Sequence, residues 1–433
     1  MRAHSSTQQS PKTSDKKVVI IGLDGVPYSL LIHYIEIGIM PRLREIISAG
    51  HLLPMRSTLP EVSSVAWTSF MTGRNPAEHG IFGFMEIDRN TYGYIFPNFL
   101  SLKSQTFWEK LGLPTVAINI PQTYPAKPFN GILVSGFVAI DFQKAVYPQR
   151  VYEYLKSIDY RLDVQSELAT KDPMSFFKNM FYTFEKRAEA LKHIYRNEKW
   201  QIFIGTVTET DRLHHFFFDS ARSGEYHDIF IRFYQMLDDF LWEIYQESRK
   251  DNALFLTCSD HGFTPIQTEV YANRYLMEHG MLSFSGKNDL AYITSSSSAF
   301  CLDPARVYIH LKGKYARGKV DADGYDSLRK QIKDLFEALY YEGKRTVRKV
   351  YFREDIFRGE YFDNAPDLYI LGEPGFDMKS STKKDSVFGH SHFRGAHTYH
   401  DAHLFISDDV TGYITSDLTI EKIAPLVTKY LCT

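Results

Sequence analysis

Three of the strongest apolar runs in this chain are each followed by an aspartate. They are VVIIGL before Asp24, IFIGTVTET before Asp211 and ALFLTCS before Asp260. Short continuous apolar runs are typical of strands buried in a parallel sheet, and the second run is expected to be one strand over residues 199–211. Because helical patterns separate the runs, the chain is predicted to be an α/β protein with a mostly parallel sheet.

The aspartates that follow these strands are candidate metal ligands. Ligands bind outside the carboxyl ends of parallel strands, so we expect the three carboxylates to converge. Neighbouring carboxylates repel each other unless cations lie between them. His261 follows Asp260 directly, and His214 and His215 lie three and four residues after Asp211. Aspartate with histidine suits Zn²⁺ or Mn²⁺, whereas a single strand-end aspartate is more often a turn former or helix cap.

The stretch LPEVSSVAWTSFMTG, residues 59–73, contains two adjacent serines without an obvious activator. A serine hydroxyl needs a base, a metal ion or a lowered pKa to act as a nucleophile. No histidine or lysine follows before His79, so a metal ion held elsewhere in the fold is the expected activator. Alternatively, a serine caps the helix expected to begin near Val65, and both roles are compatible because a helix N-terminus also attracts anions.

Composition excludes several classes of protein. The 433 residues carry a formal net charge of −2, without the basic excess expected of a nucleic-acid-binding protein. The three cysteines are too few for a disulfide framework and fit a reducing compartment. No apolar run approaches the ~18 residues of a membrane span. We therefore expect a cytoplasmic protein with no membrane span and no nucleic-acid polymer as a partner.

The sequence pattern also suggests three parts. Residues 1–16 are polar and are predicted to be a disordered leader, not a signal peptide. Residues 17–284 and 376–433 are predicted to form the core. Residues 285–375 contain short strand-like segments around one helix, expected at about 326–341, and are predicted to form a smaller α/β cap.

Six segments together carry a family resemblance. They are LDG at 23–25, MPRLREIISAG at 40–50, LPEVSSVAWTSFMTGRNPAEHGIF at 59–82, TETDRLHH at 208–215, SDHGF at 259–263 and GAH at 395–397. In order and spacing they resemble the alkaline phosphatase superfamily, and within it the type I phosphodiesterase/nucleotide pyrophosphatase family. The resemblance implies a three-layer αβα sandwich with a mostly parallel central sheet and a smaller α/β cap insertion.

The resemblance further implies two divalent metal ions, with Zn²⁺ favoured and Mn²⁺ as the alternative. The first ion would be bound by Asp24, Asp260 and His261. The nucleophile implied by the family pattern is Ser63, which would also bind this ion. The backbone N–H of Ser64 is expected to help hold a phosphate oxygen.

The second ion would be bound by Asp211, His215 and a late histidine. The family spacing of residues after the aspartate favours His215 over His214. The segment FGHSHFRGAHTYHDAH offers His390, His392, His397, His400 and His403. His397 fits best the family pattern of a glycine, a small residue and the ligand before an apolar strand, and His392 is the next candidate.

The function implied is that of a two-metal hydrolase of small phosphodiesters or pyrophosphates, with a seryl-phosphate intermediate on Ser63. Phe84 stands where nucleotide pyrophosphatases often carry an asparagine, so nucleotide specificity does not follow. Arg74 and Arg212 are candidates to neutralise the additional charge of a monoester, which keeps phosphomonoesterase and phosphoryl transferase as alternatives. The non-enzymatic alternative is a binding protein tied together by its metals. His79 is interpreted as a packing residue.

Overall fold

The computed structural model describes residues 15–407 and 417–433, so nearly all of the predicted leader lies outside the described residues. The core contains an eight-stranded sheet. Its strands, in spatial order, are His51–Met55, Ala402–Ile406, Ala253–Cys258, Lys17–Leu23, Ile202–Val207, Thr115–Ile120, Gly131–Ser135 and Val146–Tyr147. The five strands from Ala253–Cys258 to Gly131–Ser135 are parallel, and each flanking strand pairs antiparallel with its neighbour. The predicted mostly parallel sheet is confirmed.

Helices cover both faces of this sheet because its strands are apolar on both sides. In the central strand, Val19 and Ile21 pack into one hydrophobic cluster, whereas Val18 and Ile20 pack into the other. The first face is covered by Tyr28–Glu36, Pro41–Ile47, Gln149–Ser157, Pro173–Asn197 and His227–Lys250. The second face is covered by Ser63–Thr72, Phe107–Leu111 and Ile423–Cys432. The result is the predicted three-layer αβα sandwich.

The cap is built on a four-stranded antiparallel sheet. Its strands, in spatial order, are Ala299–Leu302, Arg306–Ile309, Leu368–Gly372 and Val347–Phe352. The helix Tyr325–Glu337 packs on it through Ile332 and Phe336. The same hydrophobic cluster includes Val270 and Met378, which lie outside 285–375. The predicted domain limits stay a prediction, and the apolar core of the cap continues into both flanking segments.

The remaining elements are short and connect the two parts. A three-stranded sheet contains Phe376–Lys379, Thr268–Tyr271 and Phe388–Gly389. Two-stranded pairs join Glu86–Ile87 with Tyr94–Ile95, Gly262–Pro265 with Gly395–Thr398, and Tyr340–Tyr341 with Lys344–Arg345. The other helices are Pro76–His79, Leu168–Lys171, Glu209–Phe217, Ala272–Glu278 and Arg353–Ile356. Within the described ranges, no helix combines the length and apolarity needed to cross a membrane.

Two element boundaries differ from the prediction. The strand expected over 199–211 ends at Val207, and a helix, Glu209–Phe217, begins almost at once. Asp211 therefore lies in the first turn of a helix, where its negative charge is favourable. The helix expected at 326–341 ends at Glu337, because a hairpin with Gly343 at φ +75° follows.

Candidate metal centre

The first group of candidate ligands lies at the carboxyl ends of two adjacent parallel strands. Asp24 directly follows Lys17–Leu23, and Asp260 and His261 come shortly after Ala253–Cys258. All three side chains are buried, and their ligand atoms lie within 4.8 Å of one another. His261 Nε2 lies 3.2 Å from Asp260 Oδ2 and 3.8 Å from Asp24 Oδ1. The sheet thus brings together the three residues predicted for the first ion.

The second group combines a helix and a short strand. Asp211 and His215 are one turn apart on the helix Glu209–Phe217, so they share a face. His397 reaches them from Gly395–Thr398, which pairs antiparallel with the strand that follows His261. His215 Nε2 and His397 Nε2 lie 3.4 and 3.5 Å from Asp211 Oδ1, and 3.0 Å from each other.

Two other late histidines, His392 and His403, make different contacts. His392 stacks on Phe216 with ring centroids 5.8 Å apart. His403 is buried in the strand Ala402–Ile406, where its Nδ1 donates to the carbonyl of Val26 at 3.1 Å. The structure therefore places His397, not His392, beside Asp211. The roles of these residues as ligands stay a prediction.

The chemistry of both groups fits a bound cation. Asp211 Oδ1 and Asp260 Oδ2 are buried and accept no hydrogen bond within the described part of the chain. Nδ1 of His261 donates to the Gly262 carbonyl at 3.1 Å, and Nδ1 of His397 donates to the Glu61 carbonyl at 2.9 Å. A carbonyl only accepts, so each ring presents its other nitrogen, Nε2, to the carboxylates. Aspartate oxygens facing imidazole nitrogens are a donor set that suits zinc.

The electrostatics of the first group indicate the same need for positive charge. Burial raises the pKa of Asp24 well above its ordinary value, and the charges of Asp260 and Asp211 raise it further. Burial likewise raises the pKa of Asp260 to about 6. Burial lowers the pKa of His261 well below its ordinary value, with the charge of His397 adding to the effect. The imidazole of His261 is therefore neutral, as a metal ligand must be.

The electrostatics of the second group favour positive charge beside Asp211. Burial lowers the pKa of His397, but the contact of its Nε2 with Asp211 Oδ1 and the negative charge of that carboxylate outweigh this and raise the pKa overall. Burial raises the pKa of Asp211, yet His215, His397 and Arg212 together lower it below its ordinary value. The pocket between Asp211 and His397 thus favours a positive charge, whether a proton or a metal ion.

Ser63 lies directly beside the first group. It is the first residue of the helix Ser63–Thr72, whose N-cap is Val62, so the expectation that Ser63 is the N-cap is wrong. Its Oγ lies 3.4 Å from Asp24 Oδ1 and 3.2 Å from His261 Nε2. A histidine that is remote in sequence therefore lies next to this serine. Ser64 is also buried, and its Oγ makes no hydrogen bond to any described residue.

Two further residues position the first group, and the sequence analysis assigned a role to neither of them. Trp67 Nε1 donates to Asp24 Oδ2 at 3.2 Å, and Trp67 lies one helical turn after Ser63. The backbone N–H of Gly25 donates to Asp260 Oδ1 at 2.9 Å. Gly25 has φ +64°, and a Cβ there would lie 2.4 Å from the ring of Phe263. In the sequence, the glycine that follows Asp24 was the one signal of a special backbone conformation at this place.

A cavity of about 690 Å³ opens beside the second group, between core and cap, and His215 and His397 both line it. Its walls are largely apolar and include Phe84, the residue at the position where nucleotide pyrophosphatases often carry an asparagine. The ring of Phe84 packs against Phe137 with centroids 5.9 Å apart. Lys379 is one of three cationic side chains in the lining.

Both arginines considered for monoester recognition are engaged elsewhere. Arg74 pairs with Glu78 at 3.0 Å. It follows the C-terminal end of the helix Ser63–Thr72, whereas Ser63 is at the N-terminal end. Arg212 donates to Asp163 at 2.8 Å and to Asp211 at 3.0 Å. Neither residue lines the cavity.

His79 has the environment of a packing residue. It is fully buried, its Nε2 donates to Ser69 Oγ at 3.0 Å, and its Nδ1 accepts from the N–H of Ile81 at 3.2 Å. Burial lowers its pKa to about 3, so the ring is neutral. These contacts agree with the interpretation of His79 as a structural residue.

The family comparison covers nearly the whole chain. The model of the type I phosphodiesterase / nucleotide pyrophosphatase family matches residues 18–400. The chain therefore belongs to this family, which confirms the resemblance carried by the six sequence segments. A comparison with curated protein sequences finds no match.

Solved structures of two kinds share the fold. Phosphonoacetate hydrolase from Sinorhizobium meliloti 1021, in complex with phosphonoacetate, is similar with a TM-score of 0.67 and 16% identity, covering 98% of this chain and 97% of that chain. Human ectonucleotide pyrophosphatase / phosphodiesterase 5 is similar with a TM-score of 0.56 and 12% identity, covering 96% of this chain and 95% of that chain. At these identities the likeness concerns the fold alone, and it agrees with the αβα architecture.

Proposed function

We propose that this protein is a metal-dependent hydrolase of small phosphodiesters or pyrophosphates, with Ser63 as its nucleophile. Membership of the family supports a phosphoryl hydrolase of this type. The observation that carries the proposal is the position of Ser63 Oγ, 3.4 Å from a carboxylate and 3.2 Å from an imidazole of the first group. The serine and the candidate ligands are brought together from five separate segments of the chain.

Two groups of side chains would hold the ions, which we propose to be Zn²⁺, with Mn²⁺ as the alternative. The first group is Asp24, Asp260 and His261, and the second is Asp211, His215 and His397. Bound ions would lower the pKa of the serine hydroxyl and stabilise negative charge on the phosphoryl oxygens.

The residues of the chain would then perform a two-step displacement. Ser63 Oγ attacks phosphorus, the bond to the leaving group breaks, and a seryl-phosphate ester forms. In the first turn of the helix that begins at Ser63, the N–H groups of Val65 and Ala66 donate to the Val62 carbonyl, whereas that of Ser64 has no partner among the described residues. The free N–H suits a non-bridging phosphoryl oxygen. Water hydrolyses the ester in the second step and restores the serine.

We favour diesters and pyrophosphates over monoesters as substrates. A monoester carries one more negative charge and is best recognised by a free cation, often an arginine. Neither of the two arginines considered for this role supplies it, because Arg212 is paired with Asp163 and Asp211 and Arg74 lies at the wrong end of its helix. Lys379, which lines the cavity beside His215 and His397, is paired with Asp377 at 2.7 Å. The largely apolar walls of the cavity suit an organic substituent on the phosphate. A cytoplasmic location, inferred from the cysteine content, stays a prediction.

The test is a comparison of Ser63→Ala with Ser64→Ala in zinc-loaded protein. With bis-p-nitrophenyl phosphate, Ser63→Ala should lose at least ~10³-fold in kcat, because the nucleophile is gone, and should keep its metal content. Ser64→Ala should keep most of its activity, because its backbone N–H remains. An active Ser63→Ala protein would contradict the proposal. A fully loaded wild-type protein that is inactive on diesters, pyrophosphates and monoesters would favour the binding-protein alternative.

A further inference from the structure

The helix that carries the second group also contacts the backbone of the first group. Thr210 Oγ1 donates to the carbonyl of Asp24 at 2.6 Å. His214 Nδ1 lies 2.9 Å from the carbonyl of Gly25. These two side chains are four residues apart, so they share one face of the helix. Each directly precedes a candidate ligand of the second group, Asp211 or His215. One helix therefore bears ligands of one group and backbone contacts to the other.

Both nitrogens of His214 are used, which fixes the direction of its hydrogen bonds. The carbonyl of Gly25 can only accept, so Nδ1 carries the proton and donates. Nε2 then accepts from the hydroxyl of Tyr234 at 2.9 Å. The side chain of His214 is fully buried, and its ring stands edge-on to Phe263 with centroids 5.1 Å apart. The imidazole is thus held in one orientation, pointing at the carbonyl of Gly25.

Gly25 transmits this contact to the first group. Its carbonyl accepts from His214, while its N–H donates to Asp260 Oδ1 at 2.9 Å. It follows Asp24 directly and adopts φ +64°, a backbone conformation that favours glycine. A change in the orientation of this residue would therefore move both carboxylates of the first group.

We infer that His214 is a positioning residue of the first metal group. It holds the Gly25 carbonyl so that Asp24 and Asp260 face the same point, and it thereby couples the first group to the helix of the second. This inference rests on the metal groups of the proposed function. The inference predicts that loss of His214 weakens metal binding at the first group. A role through the neighbouring residue His215 would instead weaken binding at the second group.

The experiment measures Co²⁺ affinity by visible absorption and chelator competition in two variants that each retain one group. Asp260→Asn disables the first group, and His397→Gln disables the second. Adding His214→Ala to His397→Gln should weaken the remaining Co²⁺ site by about 10- to 100-fold, the usual effect of removing a partner behind a ligand. Adding it to Asp260→Asn should leave the remaining site unchanged to within about threefold.

Conservative variants separate positioning from general packing. His214→Asn keeps an N–H donor near the Nδ1 position and should recover most of the Co²⁺ affinity of the first group. Tyr234→Phe removes only the partner of Nε2 and should weaken the same group by a smaller factor, which keeps the test open if His214→Ala does not fold. His79→Gln, a change at a buried histidine bonded to Ser69 and Ile81 instead, should alter neither site.

The outcomes are distinguishable. Equal weakening of both sites by His214→Ala, or weakening of the second site alone, would overturn the inference, because His214 would then act through general packing or through His215. Unchanged affinity at both sites would overturn it as well. If the wild-type protein binds no Co²⁺ at all, the proposed function falls and takes this inference with it.

Discussion

The imidazole rings of His261 and His397 stack on each other, with centroids 3.5 Å apart and planes inclined by 22°. His261 belongs to the first group of candidate ligands and His397 to the second. The ring of Phe263 packs beside both, with centroids 5.5 and 5.0 Å away. The two groups therefore share a wall of aromatic rings.

Zinc is predicted to stabilise the folded protein. The ligands come from segments that are far apart in sequence, so the unfolded chain has no preformed site, and binding free energy adds to the free energy of unfolding. Zinc at 100 times its dissociation constant should add about 2.7 kcal/mol per site. Thermal unfolding of chelator-treated protein with and without zinc measures this, and Asp211→Asn should give a smaller shift than the wild type. An unchanged melting temperature with zinc would contradict the metal sites.

In the metal-free protein, the carboxyls of Asp24 and Asp260 are predicted to contribute stability that is lost as the pH rises from about 4 to 7. Burial raises the pKa of Asp24, and it raises the pKa of Asp260 to about 6. In this window these two carboxyls bind more protons in the folded state than in the unfolded state, where they titrate near 3.9, so their contribution to stability falls as the pH rises. Buried neutral histidines such as His79 act in the opposite direction. The sign is therefore tested by the difference between the wild type and Asp24→Asn in urea unfolding of chelator-treated protein at pH 5 and pH 7.

The asparagine variant gives this pH effect its control. Asp24→Asn removes a carboxylate whose charged form is disfavoured by burial and by its neighbours. The metal-free variant should therefore be more stable than the metal-free wild type at pH 7, although its zinc binding at the first group should be lost. A destabilised metal-free Asp24→Asn protein would show that the carboxylate stabilises the fold even without a cation.

Much of the site could be predicted because the sheet converts sequence position into spatial position. Asp24 and Asp260 follow neighbouring parallel strands, and parallel strands place their carboxyl ends at one edge. Asp211 was predicted as a strand-end residue and lies instead in the first turn of a helix. It still reaches the same edge because the helix starts directly after its strand. The prediction for Asp211 was right about the edge of the sheet but wrong about the secondary structure, which is a helix and not the end of a strand.

Other contacts could not be predicted, since they depend on tertiary register. His397 lies in a short strand whose antiparallel partner places it opposite Phe263. Nothing in the local pattern around residue 397 specifies that pairing, and only the family resemblance favoured this histidine. The proximity of His261 to Ser63 across 198 residues was likewise invisible. No histidine is close to Ser63 in sequence, but the fold places His261 next to it.

This proximity raises the question of whether His261 is a general base, and we predict that it is not. A neutral imidazole whose Nε2 binds a metal ion has no lone pair left to accept the proton of Ser63. His261→Ala should therefore lose both its activity and one equivalent of zinc. Elemental analysis of the variant, alongside its rate with bis-p-nitrophenyl phosphate, decides the matter. An inactive His261→Ala protein that still binds two equivalents of zinc would instead indicate that His261 is the general base.

Arg212 is predicted to act through Asp211 and not through the substrate. Its guanidinium donates to Asp163 and Asp211 and lies 4.3 Å from the ring centroid of Phe137. Arg212→Gln removes the hydrogen bond to Asp211 Oδ2, so kcat/KM should fall by about 10-fold with both p-nitrophenyl phosphate and bis-p-nitrophenyl phosphate. The ratio of the two values should stay within about threefold of the wild-type ratio.

Asp163→Asn supplies the matched variant, because it removes the other carboxylate partner of Arg212 and leaves the arginine in place. If pairing keeps the guanidinium away from the substrate, weakening the pair should raise the monoester rate relative to the diester rate. A selective loss of monoester hydrolysis in Arg212→Gln would contradict the assignment, since it would mean that Arg212 already neutralises a monoester in the wild-type protein. In that case the preference for diesters would lose its main structural support.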